Sequence, residues 1–418
     1  MSGLSKKTRL LSLAFLFLAG SALAAPDEET LGKWQGYPVC TAFDGAQLAQ
    51  RCLVGLLSNW DQLATTHKVA RGETVAPLKR APIEPGIPYK HRDTAVPGVD
   101  DFLSRHRNTG LLILSGDTIL YERYQYDRKP EQRFHSFSMA KTVVAMLVGI
   151  ALQEGKIGSI DDLAEKYVPA LHGTPYGMTS LRHLLTMSSG MRFVEEYSGA
   201  DDVARLSART YGRKGSGGAE TVSEFRQREA PAGTRFKYVS ADTQVLGLAL
   251  RAAVGMPLAD YLSRKVWQPM GAEADATWHV DPGGNELGFS GINATLRDWG
   301  RLGLLLANDG AMNGRQIVPA EWVRAMTTAE APYLQVGVAT KFNGYGYQTW
   351  LIGHPRGGGD PKRYFALLGV RGQGVFVDPE TKTVVVHTAV HATQRDLASR
   401  AEQFSLFYGV LNFIKQTS

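Results

Sequence analysis

Hydrophobic and polar positions form a few sharply different patterns along this chain. From Thr142 to Leu152 almost every residue is apolar, leaving no polar side at helical spacing. A helix apolar all round belongs inside a protein, and it closes here at Gln153-Glu154-Gly155. Upstream, Gly110 to Tyr121 reads as two apolar strands around the turn Ser115-Gly116-Asp117. Far downstream, Val375-Phe376-Val377 and Thr383-Val384-Val385-Val386 flank the turn from Asp378 to Lys382. Helical spacing dominates from about 156 to 280, including Leu181 to Leu185, Ala241 to Leu250 and Pro257 to Leu262. Two more helices are expected over Leu296 to Asn308 and about 394–415. Strands near both ends with helices between them predict an α+β fold. It would be one antiparallel sheet built from both chain ends and flanked by helices, with a helical lobe (about 156–280) inserted.

The first 24 residues follow a different pattern. Lys6, Lys7 and Arg9 precede an apolar run from Leu10 to Leu18, and Ala22-Leu23-Ala24 fits a small-residue cleavage site. The run is too short for a permanent span and is soon followed by Pro26-Asp27-Glu28-Glu29. The expectation is a signal peptide (1–24) cut near Ala24, an exported and periplasmic protein, and no stable membrane span after cleavage. Residues 25–95 would form an N-terminal extension, proline-rich and irregular over 81–98, ahead of a main domain at 96–418.

Export changes how charge and cysteines are read. The net charge of +6 includes three cations of the signal; without them 43 Lys and Arg face 40 Asp and Glu, with no basic block. That balance gives no reason to invoke nucleic acid, and no nucleic-acid partner is expected. Cys40 and Cys52 are the only cysteines, and in an oxidising compartment they are expected to pair as a disulfide. A metal pair would need further ligands. No feature specifies an oligomeric state.

Candidate chemistry begins at Ser138-Met139-Ala140-Lys141, the one place where a serine precedes a lysine by three residues. Positions i and i+3 share a helix face, so Lys141 would sit beside the Ser138 hydroxyl. Burial lowers a lysine pKa, and a neutral lysine can take the serine proton. Tyr238-Val239-Ser240 opens the helical run from Ala241, and a tyrosine there can pass a proton onward. Tyr261-Leu262-Ser263 matches the same pattern, but inside an amphipathic helix, where Tyr261 reads as packing. Leu367-Leu368-Gly369-Val370-Arg371-Gly372 is a glycine-broken edge, and the N–H groups of Ser138 and Val370 together would make an oxyanion hole. His387 and His391 straddle a strand end without the helix or glutamate of a zinc protease. Nucleophile-elbow and phosphate-loop patterns are missing. Gly215 to Gly218 and Arg356 to Asp360 read as loops, the first within a possible lid over 199–235.

These motifs, with Leu184-Leu185-Thr186-Met187-Ser188-Ser189-Gly190 and Asn293-Ala294-Thr295-Leu296-Arg297-Asp298, occur in the order found in the penicillin-recognising serine hydrolases. The chain resembles that group over about residues 95–415. Within it, Phe137 to Thr142 and Gly369 to Gln373 are most similar to the 6-aminohexanoate-dimer hydrolases and related esterases. The resemblance implies a β-lactamase/transpeptidase-like fold and an acyl-enzyme on Ser138. Lys141 would be the base, Tyr238 would assist proton transfer, and no metal or organic cofactor would be used. It also points to Ser240, Asn293, Gly369 and Arg371 as substrate-binding positions. One departure stands out: where β-lactamases and DD-peptidases typically carry Lys-Thr-Gly, this chain has Leu367-Leu368-Gly369. Without that cation a penicillin carboxylate loses its partner. The expected substrate is therefore a small ester or linear amide. The alternatives are β-lactam or cell-wall-peptide hydrolysis, or a non-catalytic binding protein on the same fold.

Overall fold

The computed structural model describes residues 24–40, 49–212, 215, 217–353 and 362–417. The expected signal lies outside them apart from Ala24, as do the loop at 356–360 and Ser216. Val385 of the strand Thr383–Ala389 pairs with Ile113 of the strand Asn108–Ser115, so the two ends of the chain meet in the middle of one sheet. Both strands are apolar in unbroken runs because both of their faces are covered. Leu112 and Leu114 face the core that holds the central helix, whereas Leu111 and Ile113 face the cluster of Phe102, Phe407 and Val410. Successive side chains alternate across a strand, so only a sheet buried on both sides tolerates such a run.

The full sheet has eight strands. Its order is Asn343–Tyr345, Trp350–Ile352, Phe365–Leu368, Gly374–Asp378, Thr383–Ala389, Asn108–Ser115, Thr118–Tyr124 and Lys79–Arg80. All pairings are antiparallel except the last, where Lys79–Arg80 runs parallel to Thr118 and Ile119. The C-terminal helix, Leu397–Thr417, covers one face, and Leu296–Ala307 lies against the other. The α+β architecture and its inserted helices follow the expected plan.

The N-terminal extension departs from expectation. Thr66–Val69 pairs with Ala276–His279, which continues through Ile292–Ala294 to Phe134–His135, giving a four-stranded second sheet. The proline-rich stretch contains a hairpin, Tyr89–His91 with Thr94–Val96. Sequence separation hides such pairings, because each strand is too short to declare itself without its partner. The stretch 199–235, expected as a lid, carries the helices Asp202–Tyr211 and Ala219–Ser223, with Leu206 and Val222 in the core. Cys40 and Cys52 are joined by a disulfide with their Cα atoms 5.6 Å apart.

The apolar run after the Ser-Lys motif forms the helix Ala140–Gln153, buried at every position from Ala140 to Ala151. Gly149 lies against the Trp322 indole, whose Nε1 donates to the Ala145 carbonyl at 2.8 Å. A Cβ at Gly149 would meet that ring at 2.1 Å. Gly149→Val therefore forces the indole out of its seat, and is expected to lower stability by about 1–3 kcal/mol in urea unfolding. An unchanged midpoint would mean that the helix does not depend on this contact.

Candidate active site

The backbone brings the serine in under tension. Phe134–His135 pairs with Ile292–Ala294, and Ser136 continues that pairing by donating to the Ile292 carbonyl at 2.8 Å. The chain then turns through Phe137–Met139, with Phe137 in the left-handed region at φ 43°. Non-glycine residues held there store strain, and such positions cluster at functional sites. The Trp60 indole of the N-terminal extension stacks on His135 at 4.5 Å and meets the Phe137 ring edge-on, bracing the turn from behind. Ser138 emerges half-exposed at the top of the central helix.

One turn later Lys141 points back at it. Its Nζ is 3.0 Å from Ser138 Oγ, 3.1 Å from Ser240 Oγ and 3.0 Å from the Phe289 carbonyl oxygen. The side chain is 1% exposed and, among the described residues, has no carboxylate in contact. Burial pushes its pKa down to about 8, while the Glu195 carboxylate pulls the other way. The amine is thus close to its titration point in neutral solution, where a base is most useful.

Tyr238 precedes the helix Ser240–Val254, and the Lys141 Nζ lies 5.0 Å from the centre of its ring. Burial raises the Tyr238 pKa, Glu195 adds to the rise, and the Ser138 hydroxyl works against it. The phenol therefore keeps its proton near neutral pH and is a donor rather than a base. Trp350 stacks on Tyr238 at 5.4 Å, and Tyr345 stands edge-on to both, forming an aromatic wall beside the serine.

Val370 lies opposite, in the turn Val370–Gly372 that follows the strand Phe365–Leu368. Gly369 lets this edge approach the Phe137–Met139 turn closely: a Cβ there would come within 2.6 Å of the Ser136 carbonyl oxygen. Neither the Ser138 nor the Val370 N–H donates to another group among the described residues.

The expected substrate-binding positions are placed differently. Ser240 Oγ lies inside the polar network, donating to Glu195 Oε1 at 2.7 Å while accepting from Lys141. Asn293 is buried on its strand, with Oδ1 against His135 Nδ1 and Nδ2 donating to Thr277 and to the Gly291 carbonyl. Gly369 has both backbone groups engaged, its N–H with Gln373 and its carbonyl with Arg400. Arg371 is buried and donates to the carbonyls of His391 and Ala392, so its charge is held by the backbone and not offered to a substrate. These side chains were legible as motif positions, but motif spacing says nothing about which way a side chain points. Tyr261 packs as expected, bonded to Glu154.

Glu195 is the functional residue that the sequence concealed. Its carboxylate accepts from the Ser240 N–H at 2.8 Å, from Ser240 Oγ and from the Tyr197 hydroxyl. Arg395 secures its main chain by donating to the Glu195 carbonyl at 2.6 Å. Two adjacent glutamates occur here, and only the folded chain buries Glu195 while leaving Glu196 in water.

A half-exposed serine hydroxyl beside a buried amine and a protonated phenol is an arrangement suited to a serine hydrolase. The family model "Beta-lactamase" matches residues 99–403, and the chain belongs to that family. It is similar to the 6-aminohexanoate-dimer hydrolase of Paenarthrobacter ureafaciens, at 28% identity over 324 residues, 75% of this chain and 81% of the relative. Among solved structures, a Bacillus anthracis protein provisionally called a 6-aminohexanoate-dimer hydrolase superposes with a TM-score of 0.78 at 22% identity. The match covers 90% of this chain and 97% of that one. EstCE1, a hydrolase with promiscuous acyltransferase activity, follows at 0.59 and 16% identity, over 73% of this chain and 94% of that one. At these identities the two structures show a shared fold.

If deprotonation of Lys141 sets activity, kcat/KM rises with pH through about 8. Glu195 stabilises the charged form of Lys141, so Glu195→Gln is expected to move that rising limb to lower pH. A limb that stays in place or moves upward would remove Glu195 from the network.

Proposed function

We propose that this protein hydrolyses small carboxylic esters or linear amides through an acyl-enzyme on Ser138. The observation that carries the reading is the 3.0 Å contact between Ser138 Oγ and a buried Lys141 amine held near its titration point. Neutral Lys141 takes the serine proton as Oγ attacks the substrate carbonyl carbon. The Ser138 and Val370 N–H groups bind the oxygen that becomes negative, an interaction stronger in the transition state than before it. Tyr238 gives its proton to the leaving alcohol or amine and regains one from the Lys141 ammonium. The C–O or C–N bond breaks, and water attacks the ester on Ser138 by the same route in reverse, releasing the acid.

Substrate class follows from what borders the site. Where a cation and a hydroxyl would stand, the strand that ends at Leu368 has Leu367, buried in the main core, and Leu368, packed against the cluster on the other face. It offers no charge there, and Arg371 is tied to the backbone. Beside them stands the aromatic wall of Tyr238, Tyr345 and Trp350. Such a border suits an uncharged acyl group near the reacting carbon better than a penicillin carboxylate. The similarity to the Paenarthrobacter ureafaciens hydrolase favours linear amides among the candidates.

Hydrolysis of p-nitrophenyl butyrate is expected in the wild type and reduced at least about a thousandfold in Ser138→Ala. Lys141→Arg is expected to be nearly as inactive, because arginine does not give up its proton. Ester turnover that survives either change would overturn the assignment. Tyr238→Phe separates the two substrate types. A p-nitrophenolate leaves without help, whereas an amine must be protonated, so the variant should lose about tenfold more on a linear amide than on the ester. Equal losses on both would take Tyr238 out of leaving-group protonation.

A further inference from the structure

The C-terminal helix sends one long side chain back into the sheet edge that carries Val370. Arg400 Nη2 donates to the Gly369 carbonyl at 2.7 Å and Nη1 to the Gln373 carbonyl at 3.1 Å. The guanidinium thus spans the two ends of the turn that contains Val370. It is an expensive way to close a turn. Burial in this position pulls the Arg400 pKa down to about 10, and both of its hydrogen bonds go to uncharged carbonyls. Asp396, one helical turn earlier, is directed at the Ser399 hydroxyl and N–H instead. Arg400 is partly buried, and among the described residues no carboxylate is in contact with its guanidinium, so part of its desolvation is left without an ion pair to offset it.

The location of the first bond gives the cation a use. The Gly369 carbonyl and the Val370 N–H belong to one peptide unit, and no cis peptide bond occurs among the described residues. In a trans peptide the two groups point in opposite directions. Holding the carbonyl therefore aims the N–H, and a charged donor on the oxygen polarises the unit and makes its N–H a stronger donor. The remaining contacts close the other routes by which this peptide could rotate. Gly369 N–H donates to Gln373, Arg371 N–H to Gln394, Gln403 Nε2 to the Gly372 carbonyl, and Gln373 pairs with both backbone groups of Ala389. Of these groups Arg400 alone brings a charge to the carbonyl of the Gly369–Val370 unit.

We propose that Arg400 is a positioning residue for the oxyanion hole, aiming and polarising the Gly369–Val370 peptide from the side opposite the substrate. This rests on the reading of Ser138 as nucleophile and of the Val370 N–H as oxyanion donor. None of the motifs read from the sequence contains Arg400, and its guanidinium donates only to the Gly369 and Gln373 carbonyls. It acts only through one peptide unit.

The test compares p-nitrophenyl butyrate with its thiono analogue in the wild type, Arg400→Gln and Arg400→Lys. Sulfur accepts hydrogen bonds poorly, so the thiono ester draws little from an oxyanion hole. Loss of a whole oxyanion donor costs about 100- to 1000-fold, and a misaimed donor should cost less. Arg400→Gln is expected to lower kcat on the oxo ester by about 30-fold with KM within about threefold. The thiono ester should fall by no more than about threefold, so the oxo-to-thiono ratio of kcat falls at least about tenfold. Arg400→Lys keeps the charge but spans only one carbonyl, and an intermediate ratio is expected. It also carries the test should Arg400→Gln fail to fold. A ratio unchanged from wild type in the folded variants, whether the two rates stay put or fall in parallel, would overturn the proposal. Ser138→Ala run alongside separates the two claims: retained turnover there defeats the nucleophile reading and this inference with it. Its loss, with the Arg400 ratios unchanged, defeats the inference alone.

Discussion

Everything in this site depends on keeping one amine out of water beside one hydroxyl. In solvent, a lysine is protonated through the whole physiological range and gives no help to a serine. Lys141 escapes that state because the helix that carries it is apolar on every side and lies at the centre of the protein. Burial of such an amine is unfavourable, and the fold offsets it with three hydrogen bonds and a carboxylate one residue away through Ser240. Were that carboxylate in direct contact, the ammonium form would be held much more firmly and the pKa would rise. Ser240 sets the distance between them.

The same demand explains the arrangement of the larger elements. The helix can be buried only if something covers it all round, and the two chain ends supply the sheet that does so on one side. Joining the ends in the middle of the sheet also brings the edge at Gly369 and Val370 over the Phe137–Met139 turn, more than 200 residues away in sequence. The N-terminal extension takes part as well. Its strand Thr66–Val69 completes the small sheet that delivers Ser136, and Trp60 backs the strained turn. Strain at Phe137 persists because these neighbours determine the turn from several directions at once.

The C-terminal segment holds both halves of the site together. Arg371 grips its backbone at His391 and Ala392, Arg395 secures Glu195, and Arg400 holds the Gly369 carbonyl. In each case an arginine donates to main-chain carbonyls, a use for which its planar fork of donors is suited. Membership of the beta-lactamase family is consistent with this frame, since the family match runs through residue 403 and so includes the segment. Beside Tyr238, the rings of Tyr345 and Trp350 form the aromatic side of the site.

The sequence by itself determined the elements whose pattern is local. The all-apolar central helix, the strands at both ends, the Ser138–Lys141 spacing and the position of Tyr238 at a helix entrance all depend on residues a few positions apart. Local chemistry of that kind survives any tertiary arrangement. Tertiary structure alone decided which polar groups meet. It turned Arg371 away from the site, bound Asn293 into a strand, placed Ser240 between an amine and an acid, and buried Glu195 but not Glu196. It also brought Arg400 to the Gly369 carbonyl. The physical reason is that a side chain's direction and its degree of burial are set by neighbours distant in the chain. A motif names the residue type and leaves both of those open.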